Sequence, residues 1–279
     1  MFSYIRKMLT VLSIRAMHRI EPQLSPLSSV VSHPLKNLMF DALKTADGPL
    51  VHWGAYQSGK STAAREAALR LQECGHLVIL LHGYDRAYKS NMHEWLAYSI
   101  LGASEPTASD QPAPSLATIL NTLDQPVAII IDHFDVIMAS RHNVREWLRD
   151  AAVDIRDSQK CSLLLIVTSW ENAKDLQANG AVLIGQPGCG RWKQEELSAL
   201  LDARFPECSA EERARMLRIA TLAGCPGLVG MCKAHDESHA FLKRAELVDA
   251  EWRNGISALK GEACGVGRFP DKRLLFHWD

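Results

Sequence analysis

The eight residues Gly54-Ala55-Tyr56-Gln57-Ser58-Gly59-Lys60-Ser61 set two glycines, a lysine and a hydroxyl at the spacing of a phosphate-binding turn. Phosphate oxygens carry charge that must be met without bulk. A glycine-containing turn meets it with bare backbone N–H groups, and a helix opening through Thr62 adds its positive end. Lys60 bridges the terminal phosphates as a cation. Ser61 supplies the hard oxygen donor that magnesium prefers while it keeps several waters. The chemistry implied is binding of a nucleoside triphosphate with magnesium. Because the turn touches only the triphosphate, ATP and GTP both stay open, ATP being the commoner choice.

A carboxylate to complement that turn stands at the end of Val127-Ala128-Ile129-Ile130-Ile131-Asp132, a β-branched run of the kind that forms a fully buried central strand. At the carboxyl end of a parallel strand, Asp132 faces the crevice beside the phosphate turn, where it holds magnesium through water. Asp135 lies three residues on, and serves as base if it points into the cleft and orients a water. His133 is an imidazole either held in place beside the strand or contributing to that water. A further apolar run, Leu163 to Val167, ends in two hydroxyls, Thr168 and Ser169.

Stepping outward, short apolar runs alternate with helical patterns. Strands are expected at Leu50 to Trp53, His76 to His82, Val127 to Asp132, Ser162 to Ser169 and Ala181 to Ile184. Helices are expected at Ser61 to Glu73, closed by Gly75, and at His93 to Leu101, Leu116 to Leu123, Val144 to Ile155 and Asn172 to Ala178. Alternation of this kind predicts an α/β fold with a parallel sheet covered by helices. Beyond Gly185 the strands stop and Trp192 to Phe205, Ala210 to Ala223 and Leu228 to His235 read as a small helical lid. The expected organisation is an N-terminal extension (1–35), an α/β core (36–186), the lid (187–253) and a glycine-rich tail (254–279). The polar, proline-containing stretch from Ala103 to Ser115 is an expected exposed loop.

One strand, His76 to His82, separates the phosphate turn from the Asp132 strand. That order resembles the additional-strand group of P-loop NTPases, which includes AAA+ and STAND ATPases. The resemblance implies a five-stranded sheet whose third strand carries Walker B and whose fourth ends in a polar sensor, here Thr168 or Ser169. Asp132-His133-Phe134-Asp135 is similar to the STAND pattern of an acid, two residues and a second acid; Thr168-Ser169-Trp170 resembles its Thr-Ser-Arg; and Gly224-Cys225-Pro226-Gly227-Leu228 resembles the Gly-x-Pro turn of the lid, which brings Pro226 to the nucleotide. Two positions depart from the pattern. His133 stands where AAA+ enzymes place a water-polarising Glu, and Trp170 replaces the sensor arginine. The stretches His52-Trp53-Gly54, Leu80 to Asp85 and Ile131 to Asp135 also resemble NTPase segments of Crinkler-type effectors, a kinship that implies a pathogen or mobile-element setting and leaves secretion as an effector open.

Charge narrows little: 31 Lys and Arg face 32 Asp and Glu, so net charge favours neither nucleic acid nor an anionic membrane. The seven cysteines form no CxxC pair and read as reduced, with Cys74 and Cys161 expected as small core residues beside strands. No run reaches the roughly 18–20 apolar residues of a membrane span. Residues 1–20 carry Arg6, Lys7, Arg15 and Arg19 and no acid, a pattern shared by mitochondrial transit peptides, membrane-surface helices and plain N-terminal helices; cytoplasm is the default compartment. No arginine finger follows from one sequence, though Arg141, Arg145, Arg149 and Arg191 lie near expected element ends. The leading reading is a slow NTPase that switches a lid and is read by a protein partner or by self-association. A non-hydrolysing sensor, a DNA-associated helper ATPase and a small-molecule kinase closing residues 103–115 over an acceptor are the alternatives.

Overall fold

The structure is a computed structural model, and it describes residues 33, 35–46, 48–84, 92, 96, 115–121, 123–140, 143–185, 189–227, 245–250 and 252–253. The expected helices at residues 1–20 and Leu228 to His235, most of that at His93 to Leu101, nearly all of the loop to Ser115, Arg141 and the tail 254–279 lie outside the described residues.

Within them the chain runs α1 (Leu35–Thr45), β1 (Pro49–Trp53), α2 (Lys60–Glu73), β2 (Leu77–His82), α3 (Leu116–Asn121), β3 (Val127–Asp132), α4 (Phe134–Ser140), α5 (Val144–Ser158), β4 (Cys161–Val167), α6 (Trp170–Ala178), β5 (Val182–Leu183), α7 (Gln194–Arg204) and α8 (Ala210–Ala223). Residues 245–250 and 252–253 are also helical. The strands form one five-stranded sheet in the order β2-β3-β4-β1-β5, and every pairing is parallel. The expected α/β architecture therefore holds, and every expected strand is present to within a few residues.

Parallel strands bury both faces, and the alternation of side chains sorts the core into two layers. Val51, Ile129, Ile131, Leu163 and Leu165 share one cluster with buried residues of α3, α5, α6, α7 and α8. Leu50, Ala128, Ile130, Leu164 and Ile166 pack under α1 and α2 on the other face. The alanines of α2 (Ala63, Ala64, Ala67 and Ala68) have no solvent exposure, which lets this helix lie close on the sheet and holds its N-terminus at the edge where the strands end.

α1, α4 and the helical residues 245–250 and 252–253 fall outside the expected helices. In α4 the run Phe-Asp-Val-Ile-Met-Ala-Ser follows a strand too closely for a 3.6-residue period to declare itself. Cys161 is buried, as expected of a core thiol, whereas Cys74 is exposed. Cys74 is the C-cap of α2, with its N–H turned back onto Arg70, Leu71 and Gln72 carbonyls; a cap at the end of a surface helix stays in water however near the next strand lies.

Candidate nucleotide site

Because all strands are parallel, their carboxyl ends share one edge, and β4 stands between β3 and β1. That places the Gly54–Ser61 turn, Asp132 and Thr168 around one cavity of about 380 Å³. Tyr56, Gln57, Gly59, Lys60, Ser61 and Thr62 line it from the turn, with Asp132, His133, Thr168 and Pro226 opposite and beside them.

The turn is built for close approach. Gly59 sits at φ 87 and a Cβ there would meet His33 Nε2 at 2.5 Å, so only glycine fits both the left-handed backbone and the neighbour. A Cβ on Gly54 would lie 3.1 Å from Lys60 Cδ and 3.2 Å from Ser58 Oγ. Gln57 is held at φ 62, one of two non-glycine residues lining the cavity in the left-handed region, each at a cost of order 1–3 kcal/mol. Lys60 is buried and its Nζ donates to the Gly54 and Ala55 carbonyls at 2.6 and 2.8 Å. Ser58 Oγ is buried and meets no hydrogen-bond partner among the described residues. A buried cation and glycine-bared amides at a helix N-terminus together fit a polyphosphate, and Ser61 with Asp132 offers the oxygen donors that suit magnesium.

Asp132 is nearly sequestered, and its Oδ1 accepts the His133 N–H at 2.9 Å. His133 is the second strained residue, at φ 53. Burial is the main cause that pushes its imidazole pKa below the usual value, partly offset by the Asp132 charge. Asp135 turns toward the end of β4: Oδ2 accepts the Thr168 N–H at 2.6 Å and the Thr168 hydroxyl at 2.9 Å, while Oδ1 accepts Ser169 N–H at 3.1 Å and Asn172 Nδ2 at 2.8 Å. Asp135 is not among the residues lining the cavity. Thr168 is further fixed by Trp53, whose indole N–H donates to its carbonyl at 3.0 Å. Ser169 is the N-cap of α6, its Oγ accepting from Asn172 N–H at 3.3 Å and donating to Glu171 at 2.9 Å. Trp170, in the place of a sensor arginine, is buried edge-on against Trp53, 5.2 Å between centroids.

The arginines weighed from sequence go elsewhere. Arg145 pairs with Asp175 at 2.9 Å, Arg149 bonds Asn179 at 3.0 Å, and Arg191 ties the end of α8 to the helical residues 245–250 through the Leu222 carbonyl and Asp249 at 2.7 and 2.8 Å. Among the described residues the arginine that lines the cavity is instead Arg204, at the end of α7, where a basic residue in a helix's last turn gives no signal beyond ordinary dipole pairing.

Other cavity residues with no signal in the sequence are His33 and Trp192. His33 accepts the Leu35 N–H on Nδ1 at 3.1 Å, and its Nε2 lies 2.9 Å from the Ser58 carbonyl and 3.2 Å from the Trp192 indole N–H; Trp192 packs edge-on against the ring at 5.1 Å. Burial drives its pKa down to about 4, so the ring is neutral. Gly227 N–H donates to the Gln57 carbonyl at 3.1 Å, and the Cys225 thiol lies 3.5 Å from the Tyr56 carbonyl. The turn that ends α8 therefore rests directly on the phosphate turn. Its Gly224 is left-handed at φ 61, with Arg191 filling the space a side chain would need.

No protein-family model matches this sequence, and no curated protein does at a meaningful level. The fold, however, is shared. The Walker-type ATPase paby2304 of Pyrococcus abyssi superimposes with a TM-score of 0.52 at 15% identity, over 82% of this chain and 75% of that one. AMPPCP-bound DnaA from Aquifex aeolicus gives 0.48 at 12% identity over 82% and 70%, and Cdc6p from Pyrobaculum aerophilum 0.46 at 12% over 93% and 73%. At these identities the likeness is one of fold: this chain has the P-loop ATPase architecture.

Proposed function

We propose that this protein is a magnesium-dependent nucleoside triphosphatase of the AAA+-like kind, with slow turnover, whose nucleotide state is passed to the lid and from there to a protein partner or a second copy. The observation that carries the reading is the convergence on one cavity of a strand–turn–helix phosphate cradle, a buried lysine and the carboxylate at the end of β3. ATP is the preferred substrate, with GTP as the competitor. Its triphosphate would lie along the 54–61 amides, with Lys60 leaving the Gly54 and Ala55 carbonyls for the terminal phosphates. Ser61 and Asp132 would hold magnesium, which when bound neutralises charge on the phosphates.

Thr168 takes the sensor position, and Asp135 acts on it as a positioning group. A carboxylate that already accepts hydrogen bonds from Thr168, Ser169 and Asn172 is committed to holding the sensor strand, and it does not line the cavity where a water would be oriented. With His133 where a Glu would polarise water, turnover is slow unless a partner completes the site. The same observation favours a second reading, a nucleotide sensor that binds without hydrolysing. The lid is read as the moving part because residues 224–227 sit on the loop that contacts phosphate. The narrower STAND and Crinkler resemblances rest on the short sequence patterns alone.

The deciding experiment measures magnesium-dependent nucleotide affinity and phosphate release for the wild type, Lys60→Ala and Asp132→Asn. Release abolished in both variants supports the hydrolase. Tight binding lost in Lys60→Ala, with no release from wild type, supports the sensor. Absence of any magnesium-dependent binding sinks both.

A further inference from the structure

His82 and Asp132 are register partners at the carboxyl ends of the adjacent parallel strands β2 and β3. Register partners of a parallel pair point to the same face, so an imidazole and a carboxylate leave the sheet side by side. The chain then makes an unusual turn. Gly83 N–H donates to the Asp132 carbonyl at 2.7 Å, and a Cβ on Gly83 would fall 2.1 Å from the His133 carbonyl oxygen, so the backbones after both strands touch and only glycine permits it. His133 takes φ 53, a conformation an imidazole-bearing residue adopts only when its surroundings impose it. The outcome is that the His82 and His133 rings lie 4.7 Å apart, His133 Nε2 lies 4.0 Å from Asp132 Oδ2, and one ligand atom of each residue comes within 4.8 Å of the others.

We propose that His82, Asp132 and His133 form a site for a borderline transition-metal dication, zinc or cobalt in class, that loads without nucleotide and withdraws Asp132 from magnesium. Two imidazole nitrogens and one carboxylate are the donor set such ions prefer, whereas magnesium selects oxygen. Three protein ligands leave a fourth position open, as in zinc sites that bind an exogenous ligand. Around a tetrahedral ion with ~2.0–2.1 Å bonds the donors stand roughly 3.3 Å apart, so the imidazoles, neither fully buried, must rotate inward, shifting against the Tyr84 ring whose centroid lies 5.2 and 5.3 Å from theirs. Asp132 and His133 both line the nucleotide cavity. The antagonism with magnesium rests on the nucleotide reading above; the metal site itself does not.

The test titrates the nucleotide-free full-length chain with Co²⁺ and follows its visible absorption, for the wild type, His82→Ala, His133→Asn (asparagine tolerates the left-handed backbone) and Lys60→Ala, each checked for folding by thermal melting. The expected result is one saturable d–d spectrum without a thiolate charge-transfer band, weakened at least about 10-fold in each histidine variant and intact in Lys60→Ala. Adding magnesium and ATP should weaken cobalt binding to wild type more than to Lys60→Ala, which reports simple chelation by the nucleotide and needs no histidine variant to fold. A thiolate band, unchanged affinity in the folded histidine variants, or equal effects of magnesium and ATP on wild type and Lys60→Ala would overturn the proposal. Magnesium-dependent ATP binding without a cobalt site sinks this inference and leaves the nucleotide reading standing; a histidine-dependent cobalt site without ATP binding does the reverse.

Discussion

Asp135→Asn separates a chemical from a positioning role. The carboxylate accepts from Thr168 N–H, Thr168 Oγ1, Ser169 N–H and Asn172 Nδ2. An asparagine keeps one acceptor oxygen and turns an NH₂ toward donors on the other side, so at least one charge-assisted pair becomes a donor–donor contact while the rest lose their charge. Bonds to charged groups are worth ~1.5–3 kcal/mol each, but the site is only partly buried and water recovers part of the loss, so the expected destabilisation is about 3 kcal/mol. For a chain of this size that is a fall in Tm of roughly 6–12 °C. Phosphate release should fall by less than about 100-fold, the scale of a displaced sensor. Urea unfolding and single-turnover phosphate release, run on the same preparation, read both numbers. Stability within about 0.5 kcal/mol of wild type, together with a 10²–10⁴-fold loss of release, would refute the positioning argument and return Asp135 to the role of base.

Acid should loosen the fold through two buried imidazoles. His33 and His52 are both driven by burial from 6.5 down to about 4, so the unfolded chain binds their protons first, and stability present above pH 6.5 is lost as pH falls through that window to about 4, by up to about 3 kcal/mol for each; urea midpoints across it should drop, His33→Gln should remove roughly half of the slope, and a flat profile would contradict the argument. Gly59→Ala, which meets His33 Nε2 at 2.5 Å at φ 87, should abolish nucleotide affinity measured by calorimetry, whereas Gly48→Ala, with nothing within 4 Å, should leave affinity and Tm unchanged. Gly227→Val places its Cβ 2.7 Å from Gln57 Cβ, so it should lift the lid turn from the phosphate turn; nucleotide binding weakened about 10-fold or more with the melting curve kept within a few degrees is the expected outcome, and unaltered affinity would separate lid from loop.

The sequence by itself determined the strands, the parallel class of the sheet and the phosphate turn. Each is written in neighbouring residues: β-branched runs such as Val127 to Asp132 have one conformation in which they bury both faces, and the Gly54–Ser61 spacing encodes a local backbone shape. Only the tertiary structure decided where the side chains of those elements point and what they meet. Asp135 and Asp132 are three residues apart and indistinguishable as acids, yet one faces the cavity and the other is consumed by the end of β4, because α4 begins between them and rotates the second carboxylate away. His33, Trp192 and Arg204 come to the cavity across long sequence separations, and no periodicity records a meeting of that kind. The pairing of His82 with His133 arose the same way: two strands far apart in the chain became register partners, and a glycine allowed their ends to touch.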